Sequence, residues 1–178
     1  FLLLFYTVES HQREKNTGLA SIFDATPVRT VSVLFGKSVA NAIVGAAVLV
    51  ACFLGAAVVI LVQGKVALTL PPFLITWGLL LVPTFLVWTC FVTAVVAITR
   101  NRYATYGIGL LALSLSGWAQ FKGYMNWVIN WNLWSALRWS DMGTFEMDRA
   151  ALVVNRLLVL SLAAFFIVVA VRFHGRRD

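Results

Sequence analysis

Apolar runs separated by short polar gaps set the plan of the chain. Residues 1–8 open it with FLLLFYTV, residues 39–62 hold no charge, and after Lys65 a second uncharged run covers 66–99. A third covers 103–121, and a fourth, 157–171, lies between Arg156 and Arg172 and extends back through 150–154. At 1.5 Å per residue, 39–62 makes a helix of about 36 Å, enough to cross a bilayer with tilt. The pattern predicts an all-α, polytopic transmembrane fold in one domain: the end of a span at 1–8, then spans over 38–62, 73–99, 103–121 and 152–171. Pro71-Pro72 suits a first turn, and Pro83 predicts a kink inside its span. The start at Phe1, within an apolar run, leads us to expect that the chain is the C-terminal part of a longer protein.

The polar gap at 13–37, REKNTGLASIFDATPVRTVSVLFGK, is more than a wet connection. Thr17 is a candidate N-cap, and Leu19, Ile22 and Phe23 follow at i, i+3 and i+4. A short helix over about 18–25 would put these three on one face, with Ser21 and Asp24 elsewhere. Thr26-Pro27 reads as the cap and first residue of another helix, an elbow over 27–37 lying along the membrane surface and turning upward near Gly36. The apolar face of the short helix needs a cover. On spacing alone, a groove in another protein and the chain's own span ends serve equally.

Composition sharpens this picture. Mean hydropathy is +0.87 and charged residues are only 12%, about half the share in an average soluble domain, so the chain belongs in a membrane. The net charge of +7 does not indicate nucleic acid, because the basic residues sit at the ends of apolar runs rather than in one patch. Nine of them (Arg13, Lys15, Arg29, Lys37, Arg100, Arg102, Arg172, Arg176, Arg177) share one side, against Lys65, Lys122, Arg138, Arg149 and Arg156 on the other. The first set is therefore placed in the cytoplasm together with the C-terminus. Arg156 and Arg172 read as snorkelling anchors, with a substrate ligand as the alternative for Arg156.

Other features lead to competing readings. Ala47, Ala51 and Gly55 form a small-residue ladder that serves close packing inside the subunit or a homodimer seam. Cys52 and Cys90 read as small buried hydrophobes, with neither disulfide nor metal implied. Tyr124, Trp127, Trp131 and Trp134 follow helical spacing within an outer loop over 122–150. They suit an interfacial helix at the outer leaflet or a surface that meets substrate. Gly36-Lys37-Ser38 imitates the end of a phosphate-binding loop, but Val31 stands where its first glycine belongs, so ATP binding by this chain is not expected. Asp141, Glu146 and Asp148 read as solvated loop charges. No spacing suggests a catalytic set, and the chain is expected not to be an enzyme.

The order of Glu9, Arg13, Glu14, Lys15, Thr17, Gly18, Leu19, then Thr26-Pro27-Val28 and Gly36-Lys37, resembles the permease subunits of type-2 ATP-binding-cassette (ABC) transporters. Thr17-Gly18 reverses that family's usual Gly-Thr, and Ala20-Ser21 replaces its acidic position. The resemblance implies about five spans of a six-span permease, with residues 13–25 as the coupling helix. It further implies that Glu9, Arg13, Glu14, Lys15, Thr17, Leu19, Ile22, Phe23 and Asp24 face a cytoplasmic ABC ATPase subunit. The partners implied are that ATPase, which holds the ATP, a second permease half in a homo- or heterodimer, and membrane lipid of the plasma (bacterial inner) membrane. Substrate would then pass between the halves, lined by the opening fragment and about 103–121. The alternatives are a membrane anchor or scaffold that recruits a soluble protein without transport, and an intramembrane enzyme with a facing polar pair.

Overall fold

The computed structural model describes residues 1–18, 29–64, 70–124, 131 and 149–174. Among them every regular element is helical. Helix α1 is Leu2–Asn16 and α2 is Thr30–Gln63. Helix α3 spans 70–99 in three pieces: an α turn Leu70–Phe73, a π-helical stretch Leu74–Leu81, and an α-helix Val82–Thr99. Helices α4 (Arg102–Phe121) and α5 (Arg149–Phe173) complete the set. Three segments are long and apolar enough to cross a membrane: Thr30–Gln63, Leu74–Thr99 and Arg149–Phe173. Helix α4 has the length, but its glycines, serines, Gln120 and Arg102 dilute its apolar character, and α1 has 15 residues.

The C-terminal half of α3 is the spine. Leu4 and Val8 of α1 pack on Val92, while Leu34 of α2 joins Ala94, Ala97 and Ala170. Val159, Ala163 and Ile167 of α5 meet Val87 and Cys90. Alanine and cysteine recur where α3 and α5 lie side by side, since small side chains let two backbones approach. These contacts also fix direction. Leu3, Gly45 and Phe85 share one level and Val8, Ser38 and Thr93 lie toward another, so α1 and α3 run together and α2 runs against them. Leu4 packs at Gly109 and Glu9 pairs with Tyr106, which sets α4 antiparallel to α1. Helix α5 runs with α3, from Arg156 beside Leu80 to Phe173 beside Arg100. The five helices therefore alternate in direction along the chain. Arg13, Arg29, Arg100, Arg102 and Arg172 gather at one end, called the basic end below.

Local chemistry sets the boundaries. Pro83 has no N–H, and in a continuous α-helix its ring would press on the Leu79 carbonyl. The turn before it is widened, with the Val82 N–H reaching back to the Trp77 carbonyl. The disturbance expected at Pro83 thus takes the form of a π-helix. At the basic end, α3 stops at Arg100, whose φ of 52° is left-handed, and Asn101 caps α4 by accepting the Tyr103 N–H at 2.9 Å. The Arg100 side chain donates to the Phe173 carbonyl and so joins the ends of α3 and α5.

Several boundaries differ from the sequence reading. No break separates an elbow at 27–37 from a span at 38–62. Arg29 is extended, and one helix begins at Thr30 and passes through Gly36. Thr30, Leu34, Ser38, Asn41 and Gly45 form a single buried stripe across the expected turn, and packing on α3 holds the helix straight through the glycine. Helix α1 does not end near residue 8 but continues to Asn16, since neither Gly nor Pro interrupts it before Gly18. Ala47, Ala51 and Gly55 are exposed, and a Cβ at Gly55 would meet nothing within 4 Å, so among the described residues the ladder is not a packing seam. Cys52 is exposed on the same helix, whereas Cys90 is buried as expected.

At Gly109 an added Cβ would stand 2.5 Å from Leu4 Cδ1, and Leu4 is fully buried with little room to withdraw. Gly109→Ala is expected to destabilise the fold by about 1–3 kcal/mol, as overpacking does. Leu4→Ala should recover part of that loss in the double variant, giving a coupling in a double-mutant cycle of unfolding in detergent.

Candidate functional site

Two groups of polar side chains tie helices together inside the bundle. Toward the basic end, hydroxyls tie α2 to α3. Ser38 Oγ lies 3.1 Å from Thr93 Oγ1, and Thr89 Oγ1 donates to the Ser38 carbonyl at 3.0 Å. Ser38 and Thr93 also donate to carbonyls one turn earlier in their own helices. Short hydroxyl side chains use local carbonyls in this way when no water is at hand. This group holds helices together.

The second group lies toward the opposite end and centres on Arg156, which is only 5% exposed. Its Nη1 donates to the Leu80 carbonyl at 2.7 Å and to Thr84 Oγ1 at 3.3 Å. Its Nη2 donates to the Trp131 carbonyl at 2.7 Å and to Asn155 Oδ1 at 2.6 Å, and Nε donates to Asn155 Oδ1 at 3.2 Å. The Thr84 hydroxyl is within bonding distance of the same two carbonyls, Leu80 at 2.7 Å and Trp131 at 2.8 Å. The Leu80 carbonyl lies in the π-helical turn ahead of Pro83. Arg156 is thus not a snorkelling anchor. Its side chain turns into the bundle because these oxygens offer it a full set of acceptors there.

Next to this cluster is a cavity of about 960 Å³. Its walls come from the start of α1, from Gly45 and Val48 of α2, from 84–91 of α3, from 112–120 of α4, and from Leu162 and Phe166 of α5. Aromatic rings form one side: Trp131 lies 6.1 Å from Trp88, 5.9 Å from Phe91 and 6.2 Å from Phe166, and Phe91 lies 5.3 Å from Phe166. Such offset and edge-on pairs stiffen a wall and present flat apolar faces. The size is at the upper end of ordinary small-molecule sites, about 300–1,000 Å³. Thr84 and Trp131 belong both to the lining and to the Arg156 cluster, so a cation stands directly behind an apolar chamber.

The residues singled out for ATPase contact lie elsewhere. Glu9 accepts a 2.8 Å hydrogen bond from Tyr106, and Arg13 is exposed near the basic end of α1. Thr17 turns its hydroxyl back to the Arg13 carbonyl at 2.8 Å. Glu14 and Lys15 are in the last turn of α1, and Leu19, Ile22, Phe23 and Asp24 fall outside the described residues, as do Trp127 and Trp134. Trp131 turns a ring into the bundle wall rather than lying flat at an interface. Tyr124 is exposed beside Trp118. Sequence reasoning missed the joining of Thr84, Trp131 and Arg156. The available signal was an arginine inside an apolar helix, which has few ways to be satisfied.

Arg156→Lys keeps the charge but loses the fork that reaches three elements at once. It is expected to cost about 1.5–3 kcal/mol for each charged hydrogen bond lost. Thr84→Val should cost only about 0.5–1.5 kcal/mol, because Arg156 still holds both carbonyls. Unfolding in mild detergent measures both, and equal losses would contradict this ranking. Comparison with protein-family models, with curated proteins and with solved structures finds no match to this chain.

Proposed function

We propose that the chain is the permease of an ABC-type exporter, forming the translocation path and coupling it to ATP hydrolysis by a cytoplasmic ATPase. The observation that carries this reading is the continuity of α1. One uninterrupted helix of 15 residues, about 22 Å long, begins in the cavity wall at Leu2 and Leu3. It ends at Asn16, inside the segment whose sequence resembles the family's coupling region. A push at that end reaches the cavity without passing a hinge. The Glu9–Tyr106 hydrogen bond and the Phe5–Tyr106 ring contact, at 4.9 Å, carry the same movement into α4, another wall. The alternating helices and the basic residues at the end where α1 finishes agree with an ATPase on the cytoplasmic side.

In this scheme α1 and α4 are also spans, so the chain crosses the membrane five times, and a second permease half completes the path. The ATPase grips Leu19, Ile22 and Phe23 and drives the basic end of α1 as two nucleotide sites close. The cavity then shifts from one exposure to the other. The chain itself makes and breaks no covalent bond.

The test is ATP-dependent efflux in proteoliposomes containing the chain with its ATPase. Phe23→Asp should cut efflux at least about tenfold, which corresponds to the loss of one well-packed apolar anchor, while leaving the protein folded in the membrane. Full efflux by that variant would remove the coupling assignment.

A further inference from the structure

We infer that the cavity is a binding site for a single-chain amphiphile carrying one carboxylate, with its tail among the aromatic rings and its headgroup drawn to Arg156. The inference deepens the transport reading by naming what the chamber holds, and it can be tested without ATP or an ATPase.

The argument starts with the charge. A guanidinium has five N–H donors, and each one here is taken: two by Asn155, one each by Leu80, Trp131 and Thr84. Every acceptor is neutral. The hydrogen bonds are satisfied while the positive charge is not compensated by any of these partners. Among the described residues no carboxylate pairs with Arg156, and ionisable groups inside membrane helices mark the path of a charged ligand. The longest of the five bonds, beside a 3.2 Å contact of Nε with Asn155, runs to Thr84, which lines the cavity as Arg156 itself does not. Nη1 to Thr84 is 3.3 Å, against 2.6–2.7 Å for the bonds to Leu80, Trp131 and the nearer Asn155 contact, and Thr84 belongs to the cavity wall. A carboxylate oxygen arriving past Thr84 replaces that long contact with a charge-assisted one and leaves the other four in place. The hydroxyl of Thr84 keeps its carbonyl partners.

The chamber defines the rest of the molecule. Its lining is almost wholly apolar, and Trp88, Phe91, Trp131 and Phe166 offer flat faces along one side. A volume in the range of drug-sized ligands suits one extended or folded hydrocarbon chain better than a two-chain lipid. An apolar body with a single anionic end matches both halves of the site.

The experiment uses the full chain in nanodiscs of zwitterionic lipid, with cis-parinaric acid and its methyl ester as fluorescent probes. Energy transfer from tryptophan reports occupancy. The acid should bind at least about tenfold more tightly than the ester, the factor expected for one charged hydrogen bond. Arg156→Gln should abolish that preference while the ester still binds. Leu113→Trp, which fills the chamber away from Arg156, should exclude both probes and so guards against an unstable Arg156 variant. Equal affinity of acid and ester, a preference that survives Arg156→Gln, or unchanged acid binding to Leu113→Trp would each overturn the inference. So would full displacement of the acid by an anionic diacyl phospholipid, which would assign the site to bilayer lipid. Binding with the expected preference but no efflux would overturn only the transport reading.

Discussion

The guanidinium of Arg156 joins three parts of the molecule: α3, the early turns of α5 and the backbone at Trp131. It holds the last carbonyl before the Pro83 disturbance, the first turns of α5 and the backbone at Trp131. It shares the Leu80 and Trp131 carbonyls with the single hydroxyl proton of Thr84, and in a medium without water a carbonyl left open costs several kcal/mol. The π-helical stretch of α3 is tolerable because a side chain from another helix completes its hydrogen bonding. The aromatic wall is placed by the same contact, since Trp131 lies against Trp88 and Phe91 at the position where its carbonyl meets Arg156.

From that knot the fold divides into halves with different physics. Toward the basic end, alanines, valines and short hydroxyls bring α2, α3 and α5 close, and the hydroxyls of Ser38, Thr89 and Thr93 bond within one turn or to an adjacent helix. Toward the other end the helices spread and aromatic rings span the gap, leaving a chamber instead of a dense core. Helix α1 belongs to both halves. It packs on α3 through Leu4 and Val8, lines the chamber at its start, and finishes among the basic residues. This gives the molecule a closely packed half, a hollow half and one helix that belongs to both.

Apolar runs announced the helices, since a bilayer leaves few other arrangements for 61% hydrophobic residues. Helix ends were less legible. Gly36 was read as a turn although buried neighbours on both sides keep it helical, and Arg100 takes a left-handed conformation that sequence does not ordinarily assign to arginine. The site was least legible of all. Residues 80, 84, 131 and 156 are far apart in the chain and share no motif, and a lone arginine near a helix start has an easy alternative in reaching for headgroups. What brings them together is the widened turn of α3, a consequence of Pro83 that counts of apolar residues do not register.

Helix α2 has a bearing on how the molecule sits in lipid. Thirty-four residues of uninterrupted α-helix measure about 51 Å, while the hydrocarbon layer is about 30 Å. Beyond Gly45 no residue of the helix is fully buried, and the Phe53 ring, edge-on to Phe73 and Trp77 at 5.3 and 5.8 Å, is what holds its far half to α3. Such a length is accommodated by steep inclination or by protrusion. Its angle is therefore governed both by bilayer thickness and by α3, which holds it from Leu34 to Phe53, and thinning or thickening the membrane would act on the turns beyond Phe53.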